Sequence, residues 1–170
     1  GAQAVVTFSD TEFVNSNWGF ETVITGTGSS AGTQVAGGNP GFARRLTNTL
    51  DTNATVYGFS RFGTTTATRY DFALNGAITS VDYSIDSQWL SGIGGQGHSI
   101  MLGAKQGNVV YYAAHQITGS SGAWSTHSAL GLVATDFLPL TAGAPIDFSA
   151  GAAPIRFGFI VGNSSTGIAY

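Results

Sequence analysis

The sequence contains no cysteine, and this absence excludes several kinds of chemistry at once. Without cysteine the chain has no disulfide, no thiolate nucleophile and no Cys-based zinc site. The cellular compartment must therefore be inferred from other features of the composition.

Charge is also scarce: charged residues make up 9% of the chain, against roughly 25% in an ordinary soluble domain. Lys105 is the only lysine, and the formal net charge is −3. Six scattered basic residues do not form the basic patch of a nucleic-acid-binding protein, so we exclude that class of partner. Gly, Ser, Thr and Asn supply most of the polarity, and such an uncharged surface predicts an extracellular or cell-surface location.

Long apolar runs are absent as well. No stretch approaches the ~20 apolar residues that span a bilayer, so we predict no membrane span and no intact signal peptide. Residues 1–4 are small or polar, which is typical both of the sequence around a signal cleavage site and of a remnant of cloning. Export of the protein is therefore our expectation.

The most informative stretch that is present is residues 154–163. Alternate side chains of a strand point to opposite faces, so one face carries an apolar row that needs a second sheet to cover it. The opposite face carries two glycines, which indicate that another backbone or a ligand approaches closely there. The apolar row is Ile155, Phe157, Phe159 and Val161, and the glycines are Gly158 and Gly162.

Short β-type runs recur along the chain, and turn residues separate them. Residues 37–41 give the strongest turn signal, residues 29–38 are predicted to be a flexible connection, and residues 134–137 are predicted to form a short helical turn. This pattern predicts an all-β fold, an antiparallel two-sheet β-sandwich of the jelly-roll type, with residues 1–170 as a single domain. The predicted strands are 5–8, 20–25, 55–59, 65–74, 78–85, 98–104, 109–117 and 153–161.

Three segments together resemble a group of secreted bacterial jelly-roll proteins, with concanavalin- or laminin-like architecture, many of which carry a PEP-CTERM-type sorting tail. They are residues 8–13 leading to Trp18, residues 37–45, and the block formed by 131–137 and 146–159. The resemblance implies an exported, cell-surface or matrix protein without an assigned activity. It supplies no catalytic residue, and because the sequence ends without a hydrophobic tail, no membrane attachment is carried over.

Glycoside hydrolysis is the enzymatic activity to test, because it needs two carboxylates roughly 5–9.5 Å apart. Asp82 and Asp86 on one strand would lie about 13 Å apart, which is too far. Asp10 and Glu12 would lie about 7 Å apart, which suits an inverting mechanism, but both residues also suit a turn or cap. We therefore predict that the protein is not an enzyme.

Metal and cofactor sites have few candidates. The three histidines show no metal-ligand spacing, so we predict no cofactor beyond a structural calcium ion, for which sandwiches use carboxylates beside turns. The candidate calcium ligands are Asp10, Glu12, Asp136 and Asp147.

Glycan binding requires exposed aromatic rings beside polar groups. Trp89 and His98 bracket a glycine-rich loop, and Trp124 follows a second Gly/Ser-rich loop. The candidate glycan-binding residues are Trp89, His98, Tyr112 and Trp124. The alternative is that these rings fill the core or cover its ends.

These observations favour a non-catalytic structural or adhesive module that associates with copies of itself or with matrix glycans, as in a surface layer, a fibre or a biofilm matrix. Sparse charge and a single lysine leave strand edges poorly protected against pairing. Val5, Val6 and Phe8, in an apolar run near the amino terminus, are the candidates for self-association by strand donation. A carbohydrate-binding module is the alternative, and a glycoside hydrolase-like enzyme is the second alternative.

Overall fold

A computed structural model describes residues 5–90, 98–118, 122–167 and 169. These residues form an all-β structure of antiparallel strands, with one four-residue α-helix, α1 (Phe72–Asn75). The strands are β1 (Trp18–Thr25), β2 (Gly28–Ala36), β3 (Phe42–Leu50), β4 (Thr55–Phe62), β5 (Val81–Ser87), β6 (His98–Gln106), β7 (Val109–Thr118), β8 (Ser125–Leu132), β9 (Leu138–Pro139) and β10 (Ile155–Ser164).

The largest sheet has six strands in the order β1-β4-β10-β6-β7-β9, and β10 lies in its interior, paired with β4 and β6. The apolar row predicted on this strand is confirmed, since Ile155 and Phe159 are buried. Ile160, on the opposite face, is buried too. Both faces of β10 therefore carry buried side chains.

The second layer is split into two separate pairs, β2-β3 and β5-β8. Arg44 of β3 donates from Nε to Ser60 Oγ of β4 at 2.8 Å, which places β2-β3 over that part of the sheet. Tyr83 of β5 and Leu132 of β8 pack against the core cluster that contains Leu102 of β6. Ser60 and Leu102 stand in one cross-strand row with Phe159, so both pairs cover the same face, here called the inner face.

The largest core cluster lies beneath β5-β8. It joins β6, β7 and β10 to the segments that connect the strands, and Phe137 and Phe148 meet edge to face with ring centroids 5.3 Å apart. Its buried members are Tyr70, Phe72, Leu102, Ala104, Tyr111, Ala113, Phe137, Ile146, Phe148 and Ile155.

The other face of the six-stranded sheet, the outer face, is closed by its own side chains. A second cluster of buried residues lies there, with Tyr57, Tyr112 and Leu140 packed around it. Glycines make room for large rings: a Cβ at Gly162 would lie 2.6 Å from the Tyr57 ring, and one at Gly158 would overlap the carbonyl oxygen of Ser60. The predicted close approach of another backbone is confirmed at Gly158, whereas at Gly162 the close neighbour is a side-chain ring. The buried members of this cluster are Phe59, Met101, Val110 and Ile160.

The predicted strand over residues 5–8 is wrong. Phe8 packs against the first core cluster, and its ring centroid lies 5.9 Å from that of Phe62. Ring packing therefore anchors this segment, and no strand forms over its described residues, which begin at Val5.

Other segments also differ from the prediction. Residues 29–38 belong largely to β2, because backbone pairing with β3 holds a run of small polar residues extended. Residues 65–74 hold a 3-10 turn and α1, since Thr68 Oγ1 accepts from the Thr65 amide and Asp71 Oδ1 accepts from the Ala73 amide. β3 and β8 are absent from the list of predicted strands.

Two local predictions are confirmed. The turn at residues 37–41 joins β2 to β3, and the Gly38 amide donates to the Gly41 carbonyl at 2.8 Å. The short helical turn is a 3-10 helix over Ala134–Asp136, capped by Asp136 Oδ2, which accepts from the Val133 amide. Among the described residues, no helix is both long and apolar enough to cross a membrane.

Candidate functional site

An open cleft of about 920 Å³ separates the two halves of the split layer. Every residue over 42–49 of β3, and every residue over 84–90 in and after β5, lines it. Because consecutive side chains of a strand point to opposite faces, a cleft lined by consecutive residues runs along the strand edge. The facing edges of β3 and β5 have no strand partner among the described residues.

The floor of the cleft is the inner face of β10 and β6. Phe159, Val161 and Ile100 give it an apolar centre, while Asn163 and His98 make one end polar. These residues share a face because Val161 stands opposite Ile100 and successive odd-numbered residues of β10 point the same way. The cleft thus has an apolar floor between two backbone edges.

Asn48 fixes the β3 wall to the floor. Its Nδ2 donates to the Val161 carbonyl at 3.1 Å and to Asn163 Oδ1 at 2.8 Å, while its Oδ1 accepts from Ser30 Oγ at 2.6 Å. One amide therefore ties β2, β3 and β10 together, because it uses both its donor and its acceptor. This network holds the polar end of the cleft in a defined shape.

Arg44 is the half-buried cation of the β3 wall. Its guanidinium lies 5.9 Å from the ring centroids of both Trp18 and Phe20, and Nη1 donates to Asn15 Oδ1 at 3.3 Å. Burial lowers the pKa of Arg44. Within the described ranges no carboxylate lies within ion-pair distance of Arg44. Its positive charge is stabilised by the aromatic rings and by neutral oxygen atoms.

Three of the four candidate glycan-binding residues meet at this cleft. Trp89, His98 and Trp124 all line it, and the Trp89 and His98 rings are 5.9 Å apart. Tyr112 does not join them. The pairing of Tyr112 with Gly103 places it on the outer face, where it packs against the second core cluster.

His98 has an environment that disfavours its charged form. Burial lowers the pKa of His98, and a hydrogen bond from protonated Nδ1 to Asn163 Oδ1, 3.3 Å away, offsets part of that effect. The neutral imidazole is therefore the form that the floor of the cleft accommodates.

This shift predicts a loss of stability in mild acid. Because the folded-state pKa lies below the ordinary value of 6.5, the unfolded chain binds the proton first as the pH falls. We expect the urea midpoint to decrease between pH 7.5 and 5.5, and to decrease less in His98→Gln. His115→Gln, at an exposed position, is the matched control, and an unchanged pH dependence in His98→Gln would contradict the assignment.

The carboxylates at the cleft are already engaged by the protein. Asp10 Oδ1 accepts from the amides of Glu12 and Phe13, and Oδ2 accepts from Trp18 Nε1 at 2.8 Å. Asp86 accepts from Thr126 Oγ1 at 2.6 Å and from Asn39 Nδ2 at 3.2 Å. Asp10 thus serves as the turn residue that the sequence also suggested, and the hydrogen bond from Asn39 joins the two sides of the cleft.

The candidate calcium ligands do not form a common site. Asp136 and Asp147 cap separate turns, with Asp147 Oδ1 accepting from both the amide and the hydroxyl of Ser149. Those hydrogen bonds lower the pKa of Asp147. Among residues 5–90, 98–118, 122–167 and 169, no three Asp, Glu or His side chains form a metal-binding group.

The remaining histidines lie apart from each other. His115 Nε2 is 2.9 Å from Ser99 Oγ, and His127 Nε2 is 2.8 Å from Ser87 Oγ. His127 also contacts Gln116, which links β8 to β7.

Asn48, Arg44 and Asp86 are site residues that the sequence analysis did not select. In the sequence, Asn48 stands out only as a polar residue between Thr47 and Thr49. Its hydrogen-bond partners become visible only when β3 is seen to pack over β10. The site combines backbone edges, an apolar floor and aromatic rings, an arrangement that can hold an extended polymer. No family model, curated protein or solved structure matches the chain.

Proposed function

We propose that this protein is a non-catalytic extracellular structural module that associates with copies of itself. The split inner layer supports this proposal: two facing strand edges, each without a strand partner among the described residues, border an open cleft. Unpaired edges present rows of backbone donors and acceptors, which pair readily with another strand.

Lysine, a usual guard of strand edges, is absent from both of these edges. Lys105, the one lysine, lies on β6, which pairs with strands on both sides. The outer end of the Arg44 side chain, on β3, is directed towards Ser60 and Asn15 within the fold. Edge strands in soluble proteins are usually guarded by lysine, proline or bulges, so these edges are suited to association.

The proposal includes the finer assignments made from the sequence. These are a jelly-roll connectivity for the sandwich, export to the cell surface or matrix, and kinship with the PEP-CTERM-associated proteins. A surface layer, a fibre or a biofilm matrix is the setting that a self-associating module with 9% charged residues suits.

Lysines placed on the two cleft edges should prevent assembly. Thr47 and Ser84 are exposed and line the cleft from β3 and β5, so Thr47→Lys/Ser84→Lys adds two like charges where strands would pair. We expect the double variant to stay monomeric in light scattering at concentrations where the parent forms large particles.

Two lysines elsewhere on the surface are the matched control. Thr52→Lys/Ala150→Lys changes exposed turn residues by the same charge and should assemble as the parent does. Equal assembly of both double variants would contradict pairing at the cleft, and a strictly monomeric parent would contradict self-association itself.

Glycan binding is the second candidate, favoured by the meeting of Trp89, His98 and Trp124 in one cleft. If a sugar stacks on these rings, Trp89→Ala and Trp124→Ala should each weaken binding by about 0.5–1.5 kcal/mol, roughly two- to tenfold. Tyr112→Ala, on the outer face, is the control and should bind unchanged. Absence of binding across a glycan array would rule this candidate out.

Hydrolysis receives less support from the geometry. Asp10, one of the two carboxylates considered for hydrolysis, accepts three hydrogen bonds within its own turn region, and Glu12, the other, is exposed. Loss of polysaccharide turnover in Glu12→Gln would be the result that favours an enzyme.

A further inference from the structure

We propose that the cleft between β3 and β5 accepts residues 2–7 of a second copy of this chain as an inserted strand. This inference rests on the proposed self-association and names its partner segment. The inserted strand would lie between the two halves of the split layer and join them into one continuous sheet over the inner face.

The length of the cleft matches one extended strand. Residues 42–49 of β3 line one side and residues 84–90 line the other, which correspond to about 27 Å and 24 Å of extended chain at ~3.4 Å per residue. Residues 84–87 belong to β5, and residues 88–90 follow its end. Six residues of a donor span about 20 Å, so they fit within the length of both sides and can pair with the last four residues of β5. An inserted strand would satisfy backbone groups on each side, because both edges face the cleft.

The chemistry of the segment fits the site. Residues 2–7 carry no charged side chain, and the cleft lining holds two acidic residues, Asp10 and Asp86, against two basic ones, Arg44 and Arg45. A neutral occupant is therefore favoured over a strongly anionic or cationic one. With Val6 and Ala4 directed to the apolar floor, Val5 and Thr7 would point away from it, since alternate residues share a face.

The segment is also available to a second copy. Val5 is 89% exposed and Val6 is 37% exposed, and neither belongs to a strand. Phe8, next in the chain, is anchored in the fold by the first core cluster and Phe62. The self-association candidates therefore have two roles: Val5 and Val6 belong to the donated segment, and Phe8 attaches that segment to its own domain.

The test uses the full chain and a variant that begins at Phe8. The full chain should form particles in light scattering and negative-stain microscopy, whereas the shortened variant should remain monomeric and folded by circular dichroism. A synthetic peptide with the sequence of residues 1–7 should bind the shortened variant one to one and change its tryptophan fluorescence through Trp89 and Trp124. The same peptide with Val6→Asp should bind at least tenfold more weakly.

A full-length variant, Val5→Asp/Val6→Asp, replaces the shortened chain if the latter does not fold, and it should also be monomeric. Assembly that survives both changes would overturn strand donation while leaving self-association through other edges in place. A parent chain that is monomeric at every concentration would overturn the proposed function and this inference together. Failure of the peptide to bind, or binding in the cleft of an oligosaccharide instead, would overturn the peptide-accepting role of the cleft.

Discussion

Alanine at position 158 is expected to lower the free energy of unfolding by about 3 kcal/mol, the upper end of the range for overpacking. A Cβ there would overlap the carbonyl oxygen of Ser60 and would lie 3.0 Å from the Cα of Arg61, both of them backbone atoms of β4. Since backbone cannot rotate away as a side chain does, β10 and β4 would have to separate. Urea unfolding under conditions where the chain is monomeric measures the effect.

Two other glycines provide matched controls for Gly158→Ala. A Cβ at Gly19 would lie 3.0 Å from the end of the flexible Arg61 side chain, and one at Gly122 would lie 3.9 Å from the Trp89 carbonyl oxygen. Both substitutions should cost much less than Gly158→Ala. Equal losses at all three positions would show that the contact with β4 does not set the requirement for glycine at position 158.

The sequence predicted β10 well because its signal is local. Alternating apolar residues mark a buried face, and Gly158 and Gly162 mark positions where a neighbour approaches closely. The neighbours themselves, Ser60 and Tyr57, lie about a hundred residues away in the chain. These contacts depend on the register in which β10 pairs with β4, and the residue pattern of one strand does not reveal that register.

The candidate site was only partly predictable for the same reason. Trp89, His98 and Trp124 were selected because they flank Gly- and Ser-rich loops, and three different segments bring them to one cleft. Tyr112 was selected only as an aromatic ring, and the bulge between Ile100 and Leu102 in the β6-β7 pairing and the register beyond it place it on the outer face. Aromatic character alone does not reveal on which face of a sheet a ring lies.

The split of the inner layer was the least predictable feature. β2 consists largely of Gly, Ser, Thr and Ala. Backbone pairing with β3 therefore holds it in place, and an apolar pattern contributes little.

The two faces of the large sheet differ in how accessible they are to a partner. The outer face is closed by its own rings, whereas the inner face is open between β3 and β5, so a partner strand has access to the fold along that cleft.

At the centre of the outer face the Phe59 ring packs over Gly103, and the loss of this ring should have the largest effect on stability. Phe59 is 0% exposed, and a Cβ at Gly103 would lie 2.5 Å from its Cε2 atom and 2.9 Å from Ile160 Cγ1. We expect Phe59→Ala to lower the free energy of unfolding by about 3–5 kcal/mol, because it removes a fully buried ring and leaves a cavity. Phe42→Ala, at an exposed position of β3, should cost far less.

The contact between Phe59 and Gly103 also predicts a compensating pair. Gly103→Ala alone should cost about 1–3 kcal/mol, because the methyl group displaces the ring. Phe59→Leu frees space at the same point. The double variant should therefore lose about 0.5–3 kcal/mol less free energy of unfolding than the sum of the two single losses, which is the range for residues in contact. Strict additivity in urea unfolding would mean that Phe59 and Gly103 do not share this space. Closure of the outer face would then have to rest on its other residues, such as Tyr57 over Gly162.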